Sequence, residues 1–371
     1  MTPNGDHEEE TATKAWEHSA NGHVNLSDGP PVVAFDVGGT HIRCVVVGDE
    51  GTLSEFEKGK IPSVPLGAAV EDVKSTLVET IAAYVGRVSP EIDPRSPIAI
   101  SVPGPVDRDG VVFTAAPLFA DRCPSFPLGQ AVRARTGRAC FVVNDVSAAT
   151  WYLSERIQVE RFFVVTVSSG IGSKVFDRSR RFSVLDDTGY AGEIGHVTVD
   201  PDPDAPVCDC GGRGHLSAFA SGRAIERWAR VLASKDAEGF RRSVAFESSS
   251  GVPENLTNER HIVPAVLAGD EWATNLVRRC TYPLGHMLRT IAVTNAVEKI
   301  AVIGGFAASL GERYLGFLQG ALDENEDFAI LRPRLGDLLW HEAEVPEECL
   351  LGAAIYGRVR ASELLELALS G

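Results

Sequence analysis

Long apolar runs are missing from this chain of 371 residues. No stretch approaches the roughly 20 consecutive apolar residues of a membrane-spanning helix, so no membrane partner is expected. The N-terminus lacks a basic segment leading into an apolar core, and no secretion signal is read there. Positive charge is scarce: 35 Lys and Arg face 51 Asp and Glu, a formal net charge of -16. Such a chain repels nucleic-acid phosphates unless a basic patch offsets the balance. The short basic runs at Arg178 to Arg181 and at Arg278-Arg279 read as solvated faces, so no nucleic-acid partner is expected either. A disulfide framework is also absent from the pattern. The seven cysteines are odd in number and scattered, apart from Cys208 and Cys210, which points to the reducing cytoplasm.

What is present fits a soluble globular chain, with 44% hydrophobic and 23% charged residues. The length allows two domains with a small-molecule cleft between them. Residues 1–30 are polar and acidic, carrying Asp6, Glu8, Glu9, Glu10, Glu17 and Asp28 against Lys14. They read as a disordered tail that ends at Gly29-Pro30-Pro31. Order begins at Val32 to Phe35, a strand-type run followed by the Gly38-Gly39 turn and by Cys44 to Val47, which together read as a hairpin. Residues 67–87 carry apolar positions at helical spacing, and Ile98 to Val102 and Cys140 to Val143 are further strands. The pattern then restarts. Phe162 to Val167, the small-residue turn Ser168 to Gly172 and Lys174 to Phe176 form a second hairpin, so the two halves look weakly duplicated in architecture. Helical patterns fill 218–235 and 263–294, Ile300 to Ile303 is a late strand, and 350–369 is a closing helix. The fold class is α/β. The expected domains are an N-terminal one over 31–145, which the closing helix can join, and a C-terminal one over 146–349.

Three stretches carry chemistry. In Asp36-Val37-Gly38-Gly39-Thr40-His41-Ile42-Arg43, a strand delivers a carboxylate into a turn of two glycines. Glycine N–H groups can approach an anion closely. Thr40 adds a hydroxyl, Arg43 a fixed positive charge suited to phosphate, and Asp36 suits a phosphate that arrives with Mg²⁺. The alternative is an ordinary hairpin turn. Asn144-Asp145 ends an apolar strand. Asp145 there can be a general base for phosphoryl transfer, or the N-cap of the segment that follows. Gly192-Glu193-Ile194-Gly195-His196 precedes Cys208-Asp209-Cys210-Gly211-Gly212-Arg213-Gly214-His215. His196, Cys208, Cys210 and His215 make a Cys₂His₂ set that suits a structural, tetrahedral Zn²⁺. The alternative is a glycine-rich loop with two spare thiols. Glu193 lies close enough to His196 in sequence for one ligand to touch both.

Together these stretches resemble the ROK family, named for repressors, open reading frames and kinases, over roughly residues 32–360. The family's phosphate loop Asp-x-Gly-Gly-Thr-x-x-Arg is matched by Asp36, Gly38, Gly39, Thr40 and Arg43. Its Asn-Asp dyad is matched by Asn144 and Asp145, and its second phosphate loop by Ser168, Ser169, Gly170 and Gly172. Glu193, His196, Cys208, Cys210 and His215 match its Glu-x-Gly-His and zinc motifs, and Gly304-Gly305 its adenosine-end glycines. The resemblance implies an actin-like (ribonuclease H-like) ATPase fold of two α/β domains that close over ATP and a polyol, with Mg²⁺. Asp145 would take the proton of the attacking hydroxyl. Asn144, Glu193 and His196 would hold other hydroxyls, with His196 also a zinc ligand. Dimers are frequent in the family, so a homodimer is expected by resemblance.

The departures bear on the substrate. Ser217 stands where the family usually has a sugar-gripping Glu, and Thr114 to Phe119 has no Asn where many family glucokinases carry one. Ser168 and Ser173-Lys174 replace glycines; Lys174 either reaches a phosphate or faces solvent. Nucleotide handling looks intact while two sugar grips are altered. The expectation is ATP-dependent phosphorylation of a primary hydroxyl of an amino sugar or a C7-cyclitol of valiolone or valienone type, from a secondary, antibiotic-type pathway. An ordinary hexose kinase is the first alternative. A sugar sensor without catalysis or a transcription regulator is the second, though only about 30 residues, net acidic and without a helix-turn-helix pattern, precede Val32.

Overall fold

Val32–Val37 is buried along its whole length and forms strand β1. It pairs antiparallel with β2 (His41–Val47), and β2 pairs antiparallel with β3 (Glu57–Lys60). On its other side β1 runs parallel to β4 (Ile98–Val102), and β4 runs parallel to β5 (Cys140–Asn144). A strand buried on both faces must be covered on both. Val33, Phe35 and Val37 pack on helix α1 (Val70–Val88) through Leu77, Ile81, Tyr84 and Val85. Helix α2 (Leu128–Thr136) adds Leu128 and Val132 to the same cluster. The alternate residues Val32 and Ala34 turn to the other face. There they meet Ala148 of α3 (Asp145–Ser154) and Leu350, Ala353 and Ala354 of the closing helix, Glu348–Ser370. The structure is a computed structural model that describes residues 31–38, 41–48, 57–60, 70–113, 125–180, 183–185, 191–324, 335–340 and 347–370. The tail 1–30, Gly39, Thr40 and the segment Thr114 to Phe119 lie outside the described residues.

A second sheet repeats the first in pattern. Strands β6 (Arg161–Val167), β7 (Ile171–Asp177) and β8 (Ser183–Val184) are antiparallel neighbours. Strands β9 (Lys299–Ile303) and β10 (Leu339–Trp340) continue parallel from β6. The orders β3-β2-β1-β4-β5 and β8-β7-β6-β9-β10 are therefore the same arrangement, so the duplication seen in the hairpins extends through both sheets. Each sheet lies in its own compact unit: Met1–Tyr152 with Cys349–Gly371, and Leu153–Glu348. In the second unit Phe163, Val165 and Val167 pack with Ile225, Ala229 and Ala233 of helix α4 (Gly222–Lys235) and with Leu276, Leu284 and Leu288 of α5 (Glu271–Asn295). Helix α6 (Glu312–Asp323) adds Tyr314 and Leu318 to this core, and the closing helix Glu348–Ser370 is α7.

Two helical stretches expected to be continuous are divided. The stretch 218–235 breaks at Ser221, whose Oγ donates to Ser217 O at 2.7 Å and accepts from Ala224 N at 3.2 Å. The stretch 263–294 breaks after Gly269, and Asp270 Oδ1 accepts from Ala273 N at 2.8 Å. Each break is an N-cap, which satisfies N–H groups that a helix start leaves without partners. Arg178 also departs from a purely solvated role, because its guanidinium donates to the Val159 and Ile157 carbonyls at 2.9 and 2.7 Å. No helix among the described residues is long and apolar enough to cross a membrane.

Helix α7 approaches α3 at Gly352, where a Cβ would overlap the carbonyl oxygen of Ala148. Backbone cannot yield as a side chain can, so Gly352→Val is expected to destabilise the first unit by about 1–3 kcal/mol. A lowered thermal transition checks this; an unshifted one contradicts the close contact.

Candidate functional site

Strand register brings the first set of candidate residues to one sheet edge. Asp36 pairs with Ser101, Ser101 with Val143 and Val102 with Asn144. Asp36 and the Asn144-Asp145 pair thus emerge at the carboxyl ends of β1 and β5, parallel strands on either side of β4, where open α/β sheets bind ligands. Arg43 is the cross-strand partner of Asp36. It donates Nε at 2.9 Å and Nη2 at 2.5 Å to Asp36 Oδ2. The acid and the cation of this hairpin therefore hold each other. Asp36 Oδ1 makes no hydrogen bond among the described residues. Gly38 N donates to His41 O at 2.9 Å and closes the hairpin.

Asn144, not Asp145, caps helix α3. Its Oδ1 accepts from Val146 N and Ser147 N at 3.0 and 3.2 Å. Its Nδ2 donates to Gly104 O at 3.0 Å and to Asp145 Oδ1 at 2.9 Å. Val146 N also donates to Asp145 Oδ1, at 2.8 Å. One carboxylate oxygen is thereby fixed, and Oδ2 has no hydrogen bond among the described residues. Burial pushes the Asp145 carboxyl up to about 6, against the Val146 and Asn144 hydrogen bonds and with help from the charge of Asp36. A carboxyl near that value is largely ionised at neutral pH and still basic enough to take a proton.

The remaining candidates lie in the second unit. Ser169 and Gly170 are exposed at the tip of the β6–β7 hairpin, and Gly172 follows in β7. Ser168 N donates to Gly170 O at 3.0 Å, and Ser168 O accepts from Gly222 N at the start of α4 at 2.8 Å. The Gly304-Gly305 turn after β9 packs on the end of β6. At Gly304, φ is +98° and a Cβ would press on Thr166 Oγ1 and Val167 N. Both glycine turns therefore sit side by side.

Glu193 and His196 bracket a single helical turn, Ile194–His196, with Glu193 Oε2 3.8 Å from His196 Nε2. Cys208 Sγ is 3.8 Å from His196 Nδ1, and Cys210 Sγ is 3.2 Å from His215 Nδ1. One ligand atom from each of these four residues lies within 4.8 Å of the others. Tetrahedral Zn²⁺ places thiolate sulfur and imidazole nitrogen about 3.5 Å apart, so the donor set fits that ion.

Sequence reading passed over Asp209, between the two cysteines. Arg227 Nη1 lies 2.7 Å from its Oδ1 and Arg223 Nη1 3.4 Å from its Oδ2. Burial raises its pKa, but Arg227 and Arg223 outweigh that and hold the carboxyl below its usual range. The two arginines tie the cysteine loop to α4. Their spacing of one helical turn was the available signal.

The ROK family model matches residues 32–315. A C(7)-cyclitol 7-kinase of Streptomyces hygroscopicus subsp. jinggangensis is 35% identical over 346 residues, covering 90% of this chain and 97% of that protein. A 2-epi-5-epi-valiolone 7-kinase of Actinoplanes sp. is 31% identical over 300 residues, covering 76% of this chain and 80% of that protein. Among solved structures, the ROK hexokinase of Thermus thermophilus aligns with a TM-score of 0.66 and 26% identity, covering 90% of this chain and 99% of that one. On the family match and the shared architecture, the chain belongs to the ROK family and is a sugar kinase with the actin-like ATPase fold.

Proposed function

We propose that this chain transfers the terminal phosphoryl group of ATP to the primary 7-hydroxyl of a C7-cyclitol of the valiolone or valienone type. The observation that carries the chemistry is Asp145, with Oδ1 fixed by Asn144 and Val146 and a carboxyl pushed up to about 6. Two relatives named as cyclitol and valiolone 7-kinases support the acceptor. So does Ser217, a short neutral side chain that cannot make the charge-assisted bond of a glutamate.

Asp145 Oδ2 accepts the proton of the attacking hydroxyl as the new O–P bond forms and the bond from the terminal phosphorus to the β–γ bridging oxygen breaks, releasing ADP, while its bound Oδ1 keeps the carboxylate oriented. Asn144, Glu193 and His196 bind other hydroxyls of the acceptor. Asp36, Gly38, Gly39, Thr40 and Arg43 serve the Mg²⁺-bound phosphates. Ser169, Gly170 and Gly172 are assigned to phosphate as well, and Gly304 and Gly305 to the adenosine end. Mg²⁺ supplies charge neutralisation when bound. His196, Cys208, Cys210 and His215 would hold a structural Zn²⁺, which keeps the His196 turn in place. The enzyme acts in the cytoplasm of a cell with secondary metabolism, and as a homodimer.

Asp145→Asn is expected to lower kcat by about 10²–10⁴-fold, with acceptor affinity retained in calorimetry; retained turnover removes Asp145 from the role. In the wild type, the general base works only when ionised. Therefore kcat/KM for the acceptor should rise with pH through about 6 and level off above it. A limb near the ordinary aspartate value of about 4 contradicts the raised pKa. Cys208→Ala should reduce bound zinc, measured by metal analysis of the purified protein, and raise the acceptor KM. Unchanged zinc content and KM would show that Cys208 is no ligand.

A further inference from the structure

Two adjacent residues of β7 hold two adjacent carbonyls of the turn that leads into Glu193. Ser173 N and Ser173 Oγ both donate to Gly192 O, at 3.0 and 2.8 Å. Lys174 Nζ donates to Ala191 O at 2.9 Å. Ser173 is only 1% exposed, so its hydroxyl is committed to this bond. Gly192 has φ +89°, and a Cβ there would overlap Ser173 O; only glycine permits such an approach. The other end of the turn is confined as well. Gly195 lies against Ile171 O, the first carbonyl of β7, and against Ser217 Oγ.

The strand that makes these bonds is itself rigidly placed. Ser173 and Lys174 pair with Val165 and Val164 of β6, in the hairpin whose tip is Ser169-Gly170. The Glu193–His196 turn is thus fastened to the same strand that leaves the phosphate-type turn. A lysine in that strand is a natural candidate for a phosphate contact, but its ammonium is directed to a backbone carbonyl of the Glu193 loop.

We propose that Ser173 and Lys174 are positioning residues for the phosphoryl acceptor, holding the Ala191-Gly192 backbone so that Glu193 and His196 meet the polyol pre-set. This rests on the assignment of Glu193 and His196 to the acceptor made above. Pre-set groups lose less freedom on binding, so the brace acts on acceptor affinity and alignment. It does not act on the nucleotide.

The test varies ATP and acceptor separately in Lys174→Met, Lys174→Arg and Ser173→Ala, with hydrogen exchange followed over 191–197. Loss of the charged hydrogen bond in Lys174→Met should raise the acceptor KM about 10-fold, leave the ATP KM unchanged and speed exchange in the loop. Lys174→Arg should recover most of the acceptor KM, since a guanidinium can still reach the carbonyl. Ser173→Ala, which keeps the backbone bond, should shift the same two quantities by less and covers the case in which Lys174→Met fails to fold. A raised ATP KM with an unaltered acceptor KM overturns the proposal and makes Lys174 a phosphate ligand. No change in either KM or in exchange also overturns it. If the wild type phosphorylates no polyol at all, the acceptor assignment fails, while the exchange data still decide whether the brace exists.

Discussion

The carboxyl group of Asp145 stands between opposing influences. Burial and the nearby charge of Asp36 favour the neutral acid, while hydrogen bonds from Val146 N and Asn144 Nδ2, at a helix N-terminus, favour the anion. The balance leaves a base that is ionised at neutral pH and not fully quenched by its own partners. Much of the first unit maintains that balance. Asn144 takes over the capping of α3, so Asp145 Oδ2 is spared. Strand β5 is the parallel edge neighbour of β4 and carries the pair to the strand ends. Gly352 lets α7 pack against α3, the helix that Asp145 begins.

The second unit solves a different problem, which is to place several turns against one hairpin. Gly222 and Gly304 bring α4 and the β9 turn onto the end of β6 and the turn that follows it. Ser173, Lys174 and Ile171 take the Ala191–His196 segment along β7. The four donors of His196, Cys208, Cys210 and His215 then close the segment on its far side, and Arg223 and Arg227 tie the cysteine loop back to α4. Backbone contacts do most of this work. They are less forgiving than side-chain contacts, and they hold the loop in one conformation together with Ile194, which packs against the core of the second unit.

The strands were legible because β1, β4 and β6 are nearly unbroken apolar runs, with glycine or proline on both sides of β1 and β4 and a small-residue turn after β6, and both hairpins are visible as such. The four candidate zinc ligands were legible from spacing alone, and their donors lie together. Other features were not legible, for physical reasons. Ser221 and Asp270 break helices whose apolar periodicity continues across the cap, so periodicity cannot locate the break. Asp36 and Arg43 look like two independent phosphate ligands in sequence, yet antiparallel register makes them cross-strand partners. Lys174 is bound to a carbonyl seventeen residues away, and no local pattern encodes that partner.

The acceptor is tested most directly by incubating the protein with Mg²⁺-ATP and equal concentrations of a valiolone-type cyclitol, glucose and N-acetylmannosamine, then locating the phosphate by phosphorus–proton correlated NMR. Preferential phosphorylation of the cyclitol, with phosphorus coupled to the exocyclic methylene protons, is the result a C7-cyclitol 7-kinase gives. Glucose as the favoured acceptor, or phosphorus coupled to a ring proton of the cyclitol, would contradict it.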